Sequence, residues 1–406
     1  MKRRLLLTAL LAFAPGAWSE TLAGRWNATL NLNGTEIPFK IEFAGDGTNV
    51  KGWFFNGDEH ENSTAGKFEN GVLVLNFDTY ASVLKATLKD GVLDGEYSTR
   101  GKPLPIHAVR AVPQPPSKVK APDISGLWYL EGVSSRKHDE KAWQFIIQQR
   151  GAEVTGAILR VDGDTGTLTG SYQDGQFVLS HFSGGRPALL VVTPQNDGTL
   201  AVDLKGQHHE GVVTAVRPEQ ARAKGLDLPT DADQHTRVTD PAKPFTFSFP
   251  DLNGNLVSNT DERFRGKVVL VNVTGSWCPN CHDEDEFLPS LYNKYHAQGL
   301  EIVALNFEEA EQLADPTRLK SLIKEYGIKY PVLLGGETST AKDKLPQASD
   351  WDSWPTTFFV GRDGLVKFVH AGFPSPGSGE LYKKEKAEFI AKVEQLLAAN
   401  QTASRQ

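Results

Sequence analysis

Lys267-Val268-Val269-Leu270-Val271-Asn272-Val273 is a nearly unbroken apolar run. A strand that is apolar at successive positions has both faces covered, which places it at the centre of a sheet flanked by helices. Just beyond it stand Cys278 and Cys281, the only cysteines in 406 residues. From Cys281 to His296 the residues Phe287, Leu288, Leu291 and Tyr295 recur at helical spacing. The Cys-x-x-Cys therefore lies where a buried strand gives way to a helix. At a helix start, free backbone N–H groups and the dipole favour a thiolate on Cys278. Cys281, one turn later, is placed to resolve a mixed disulfide formed on Cys278. A disulfide loop this short removes little entropy from the unfolded chain, so chemistry explains the pair better than stapling does.

The pattern continues as alternating strands and helices. Leu300 to Leu305 is a second buried strand, Pro316 to Tyr326 a helix, and Pro331 to Leu334 a short strand. Thr356 to Val360 and Leu365 to Val369 pair around Arg362-Asp363-Gly364, and Glu380 to Ala399 is a closing amphipathic helix. Such alternation means an α/β sheet. Pro355, in Trp354-Pro355-Thr356-Thr357, precedes a buried strand, which calls for a fixed turn and is compatible with a cis peptide.

With Trp277-Cys278-Pro279-Asn280-Cys281 and Trp354-Pro355-Thr356 in place, residues 244–400 resemble the thioredoxin superfamily. Within it they are most similar to the TlpA/ResA-like periplasmic thiol–disulfide oxidoreductases. The resemblance implies a thioredoxin-fold domain in which Pro355 is a cis-proline that lies against the active-site disulfide and helps bind substrate backbone. It also implies that Glu284, three residues after the second cysteine, is the family's carboxylate, exchanging a proton with Cys281. Trp277 and Trp354 are expected at the substrate site beside Pro355, Trp277 as a packing residue that shields the disulfide and Trp354 as a substrate wall or a core residue. Family members often carry a helix-kinking proline soon after that carboxylate; here Glu286 stands near that place and Pro289 comes later. The implied partners are exported proteins with disulfides, apocytochromes c among them, and a membrane thiol that donates electrons. No cofactor is implied.

The first half reads differently. Residues 20–112 alternate apolar and polar positions in short runs, separated by turn signals such as Asn33-Gly34, Asn70-Gly71 and Asp90-Gly91, the pattern of antiparallel strands. Residues 123–217 read as a diverged second copy. Gly24-Arg25-Trp26 matches Gly126-Leu127-Trp128, and Ala108-Val109-Arg110 recurs as Ala215-Val216-Arg217. Two copies are too few for a solenoid; two small barrels or sandwiches, or two halves of one β structure, fit. The whole is thus a multi-domain chain: two duplicated antiparallel β blocks, then an α/β thioredoxin-fold domain. The paired tryptophans are core anchors or the lining of a ligand cavity. His208-His209 lacks partners at metal-ligand spacing. A polar connector, 218–243, with a short helix over Gln220 to Lys224, leads to the third block.

Lys2-Arg3-Arg4, the apolar Leu5 to Phe13 and Ala17-Trp18-Ser19 make residues 1–19 a secretory signal peptide. This implies a soluble, periplasmic mature protein. A net charge of −7, with no basic cluster past the leader, argues against nucleic-acid binding. Zinc would need two further ligands and no other cysteine exists, so no metal is expected. Two alternatives to a turning-over reductase stand: a thioredoxin-fold binding or scaffold module, and a peroxiredoxin-like thiol peroxidase, although Gly275 occupies the place of that family's threonine. Finally, Asp283, Glu284, Asp285 and Glu286 put four carboxylates beside the site. They should disfavour a thiolate and so favour a reductant over an oxidant.

Overall fold

The computed structural model describes residues 21–57, 59–99, 101–112, 119–133, 139–205 and 211–399. Residues 1–19, expected to be a signal peptide, and His208-His209 lie outside the described residues. Between Gly24 and Arg110 the chain forms a nine-stranded antiparallel sheet. Its alternation is that of the sequence: in Thr35–Ala44, Ile37, Phe39, Ile41 and Phe43 point inward while Glu36 and Lys40 face water. The second β block, Gly126 to Val216, is also nine-stranded. Here Ala142–Arg150 pairs with both Gly126–Glu131 and Glu153–Arg160. That extra ladder closes eight strands into a barrel and leaves the two-residue strand Gly163–Asp164 as an appendage. Closure removes free strand edges.

The two tryptophans are core anchors, 1% and 4% exposed. Trp26 Nε1 donates to the Leu22 carbonyl at 2.9 Å, and Trp128 Nε1 to that of Ile124 at 2.8 Å. Arg110 lies over the Trp26 ring at 4.8 Å and Arg217 over Trp128 at 3.7 Å. The blocks are joined through their cores. Phe182, from the second block, packs among Phe39, Phe54 and Tyr97 of the first. Its backbone is bonded in both directions by Asn56, and Tyr97 Oη donates to the Gly184 carbonyl.

The connector starts with the helix Pro218–Lys224 and then lies against the third block. Asp233 bonds His370 at 2.7 Å, His235 bonds Asp352 at 2.6 Å, and Arg237–Val238 pairs with Ala348–Ser349.

The third block is a five-stranded sheet in the order Val332–Glu337, Leu300–Glu308, Val268–Thr274, Thr356–Val360, Val366–Ala371. The first three strands are parallel and the last two antiparallel. Val268–Thr274 is central and buried at every residue, as its unbroken apolar run requires. Its two faces feed two cores. One gathers Val269, Val271 and Val273 with Phe307, Trp351, Trp354 and Phe358; the other gathers Val268 and Leu270 with Phe287, Leu288, Leu291 and Phe389. The helix Pro279–Tyr295 carries Pro289 in its interior without ending there. Among the described residues no helix is long and apolar enough to cross a membrane.

Candidate active site

Cys278 is the N-cap of the helix Pro279–Tyr295, with Pro279 at its first position, where a missing N–H costs nothing. The central strand ends at Thr274 and the chain must turn within three residues to start this helix. Both cysteines are free and buried. The Cys278 sulfur accepts the Cys281 N–H at 3.3 Å and lies 3.6 Å from the Trp354 carbonyl oxygen. The Trp354–Pro355 peptide is cis. Burial, followed by the contact with Cys278, pushes the Cys281 thiol well up.

Three tryptophans gather beside Cys278. The ring centroids of Trp277 and Trp354 are 5.4 Å apart, edge to face, and Trp351 lies 5.1 Å from Trp354. Trp277 Nε1 donates to the Phe307 carbonyl at 3.0 Å and its ring stays half-buried. Trp351 and Trp354 are buried.

Glu284 is 1% exposed and sits under the site between the two central strands. Asn272 Nδ2 donates to it at 2.5 Å and Thr357 Oγ1 at 2.7 Å. Burial outweighs both bonds and raises its pKa to about 7.

The acidic run behaves otherwise than as four exposed charges. Only Glu286 faces water. Asp285 is buried and pushed well up by desolvation, with Glu284 and Glu308 adding to it. Asp283 is raised to about 8 by burial, although the guanidinium of Arg186 lies 3.1 Å away. The run is therefore not a set of four exposed charges beside Cys278. Three of the four are withdrawn from water, and a cation from another block stands among them.

Several residues of the site gave no motif. Glu308 accepts the Ser276 N–H at 2.9 Å, Arg318 binds Glu308 at 2.7 Å, and Arg318 Nε donates to Ser276 Oγ at 2.7 Å. This buried ion pair holds the turn before Trp277. The one available signal was a carboxylate closing the apolar strand that starts at Leu300. His282 donates through Nε2 to the Ser276 carbonyl and accepts from Tyr326 through Nδ1. Desolvation lowers its pKa to about 4, so it is neutral. Tyr80, from the first β block, stacks on it at 4.7 Å. Arg186, from the second, donates to Asn280 Oδ1 at 2.6 Å, inside the Cys-x-x-Cys. Nothing in the sequence linked Tyr80 or Arg186 to the cysteines.

The chain is similar to known thiol–disulfide oxidoreductases. The Redoxin family model matches residues 237–387. The chain is 31% identical over 149 residues to thiol-disulfide oxidoreductase ResA of Bacillus thuringiensis subsp. konkukian, covering 36% of this chain and 74% of that protein. It is 31% identical over 126 residues to ResA of Bacillus subtilis, covering 31% and 64%. Among solved structures, a thioredoxin-family thiol:disulfide interchange protein of Chlorobium tepidum matches 40% of this chain and 100% of that one, with 24% identity and a TM-score of 0.31. The β blocks lie outside the residues that the Redoxin model matches. Through its C-terminal domain, which carries Cys278 and Cys281, this chain belongs to the ResA-like thiol–disulfide oxidoreductases of the thioredoxin superfamily.

Proposed function

We propose that the protein is an exported disulfide reductase in which Cys278 attacks and Cys281 resolves. The observation that carries this reading is the position of Cys278 at the helix N-cap, beside the Trp354–Pro355 peptide, with its sulfur accepting the Cys281 N–H. That N–H and the helix dipole favour negative charge on this sulfur. The Cys278 thiolate attacks one sulfur of a substrate disulfide, and the other leaves as a thiolate that takes up a proton. Cys281 then gives up its proton and attacks the Cys278 sulfur. This releases the second substrate thiol and leaves a Cys278–Cys281 disulfide on the enzyme. Two electrons have passed to the substrate. A thiol donor must return them; family kinship points to one in the membrane.

Glu284 supports the second step. A buried carboxyl with a pKa of about 7, one turn beyond Cys281, is poised to take that thiol's proton near neutrality. Trp277, Trp354 and Pro355 form the wall against which the substrate chain lies. Reduction is favoured over oxidation because burial leaves the Cys281 thiolate poorly stabilised, and a less stable dithiolate makes a stronger reductant. Export, by a leader at 1–19 to the periplasm, rests on the N-terminal sequence. Substrates are then disulfides of other exported proteins, apocytochromes c among them. The repeated Trp–Arg stack supports a duplication of the β blocks.

Replacing Cys281 by Ser tests the cycle. Cys281→Ser should trap an exported protein on Cys278 as a mixed disulfide. The reduction potential of the parent tests direction: a value near roughly −120 mV, that of a strong oxidant, would sink the reductase reading.

A further inference from the structure

The barrel of the second block occupies one flank of the redox site, and the contact is built rather than incidental. Asp164, fully buried, accepts from Ser375 N and Ser375 Oγ, both at 2.9 Å, and from Ser378 Oγ. Glu59 of the first block accepts the Gly377 N–H at 2.8 Å. Asn280, between the two cysteines, donates to the Asp162 carbonyl at 2.6 Å and accepts from Arg186. The backbones touch as well. Gly372, at φ +72°, follows the strand that pairs with Thr356–Val360, and a Cβ there would lie 2.4 Å from the Val161 carbonyl oxygen. A Cβ on Gly163, at φ +121°, would lie 2.4 Å from Asn280 and 2.5 Å from the Phe373 carbonyl oxygen. Glycine is needed on both sides for this approach.

The consequence is a one-sided site. Ala371, Gly372, Phe373, Pro374 and Ser375 are all buried, although Gly372 N donates to the Pro355 carbonyl and so lies at the edge of the cis-proline turn. Cys278 itself is 4% exposed. Beside it, Trp277 and Pro279 are partly exposed. Buried polar groups that bond across an interface are costly to separate, so the barrel is not displaced each time a substrate arrives.

We infer that the barrel of the second block is a fixed wall of the redox site and that its Val161–Asp164 segment selects substrates by bulk. A disulfide on a slender, extended chain reaches Cys278 past Trp277. A disulfide set in the surface of a folded protein is held off. This rests on the reductase reading and narrows its substrates to chains that are unfolded around their disulfide.

Two matched probes test it: a short unstructured peptide dimerised through one cysteine, and a small folded domain dimerised through one surface cysteine. The full-length parent should reduce the peptide dimer at least about tenfold faster. Ser378→Asp, which sets a second carboxylate against Asp164, should open the wall. It should raise the rate on the folded dimer about tenfold and leave the peptide rate within about twofold. Asp164→Ala is the second variant should the first not fold. Hydrogen exchange at the Ser375 and Gly377 N–H groups reports opening independently: slow in the parent, fast in the variants. Equal parental rates on the two probes overturn the inference alone. So do variants in which exchange has become fast while the discrimination persists. A parent inert toward the peptide dimer overturns the reductase reading, and the inference with it.

Discussion

Glu284 is the residue whose chemistry is most exposed to experiment. Its carboxyl is buried under the Cys-x-x-Cys, takes two hydrogen bonds, and still has its pKa raised from 4.5 to about 7. The folded state holds this proton more tightly than the unfolded state does, so its contribution is fully present below pH 4.5. It is lost as pH rises toward 7, on the order of 3 kcal/mol in all. Asp283 and Glu61, each raised to about 8 by burial, act in the same direction. Glu284→Gln removes one of these titrations. Urea midpoints measured from pH 4 to pH 9 should therefore fall less steeply in the variant than in the parent; parallel curves would show that Glu284 ionises freely. The same substitution separates structure from catalysis. If Glu284 takes the Cys281 proton, the mixed disulfide on Cys278 should live at least about tenfold longer in Glu284→Gln near pH 7. Stopped-flow quenching with mass detection measures that lifetime.

At the scale of elements, the active-site turn depends on a pair that the strand and helix patterns did not mark. Leu300–Glu308 is buried along its whole length. Ending such a strand on a carboxylate is tolerable only because Arg318, itself 2% exposed, reaches it from the helix Thr317–Tyr326. Together they bind Ser276 through its N–H and its hydroxyl. Arg318→Ala leaves Glu308 charged, buried and unpaired. The expected cost is about 3–5 kcal/mol, read as a lowered urea midpoint of the C-terminal domain. Arg318→Ala,Glu308→Gln should recover part of it; no recovery would mean that Arg318 acts through packing. The strands and helices around this turn were legible because their apolar periods are set by burial, which is local in sequence. Val268–Thr274, the helix after Cys278 and the hairpin around Arg362-Asp363-Gly364 all belong to that class. The Glu308–Arg318 pair, the seat of Glu284 between Asn272 and Thr357, and the withdrawal of Asp283, Glu284 and Asp285 from water arise from tertiary packing. A run of four acidic letters carries no mark of which side chains turn inward.

For the whole molecule, the informative fact is that three blocks, readable singly, are not independent. The sequence marks each β block by its alternation and its repeated Gly-x-Trp and Ala-Val-Arg segments, yet says nothing of how one engages the next. A side chain such as Phe182 looks like an ordinary strand-end aromatic. It fills the core of the other block, within 5.2 Å of three aromatic ring centroids, while Asn56 bonds its backbone from across the boundary. The segment it begins continues through Gly184, bonded by Tyr97, to Arg186 at Asn280. Core, interface and redox site are therefore ends of one short stretch of chain. Removing the Phe182 ring should cost about 3–5 kcal/mol, and the loss falls on the coupling between blocks, because the ring and the core that receives it belong to different units. In the parent the first and second blocks should unfold together, with fluorescence and far-UV circular dichroism tracing one transition. In Phe182→Ala the first block should melt earlier and the traces separate. Hydrogen exchange at residues 184–186 should quicken in step. A single transition shifted bodily downward would show instead that the blocks are held together by the rest of their interface, with Phe182 only one contact among many.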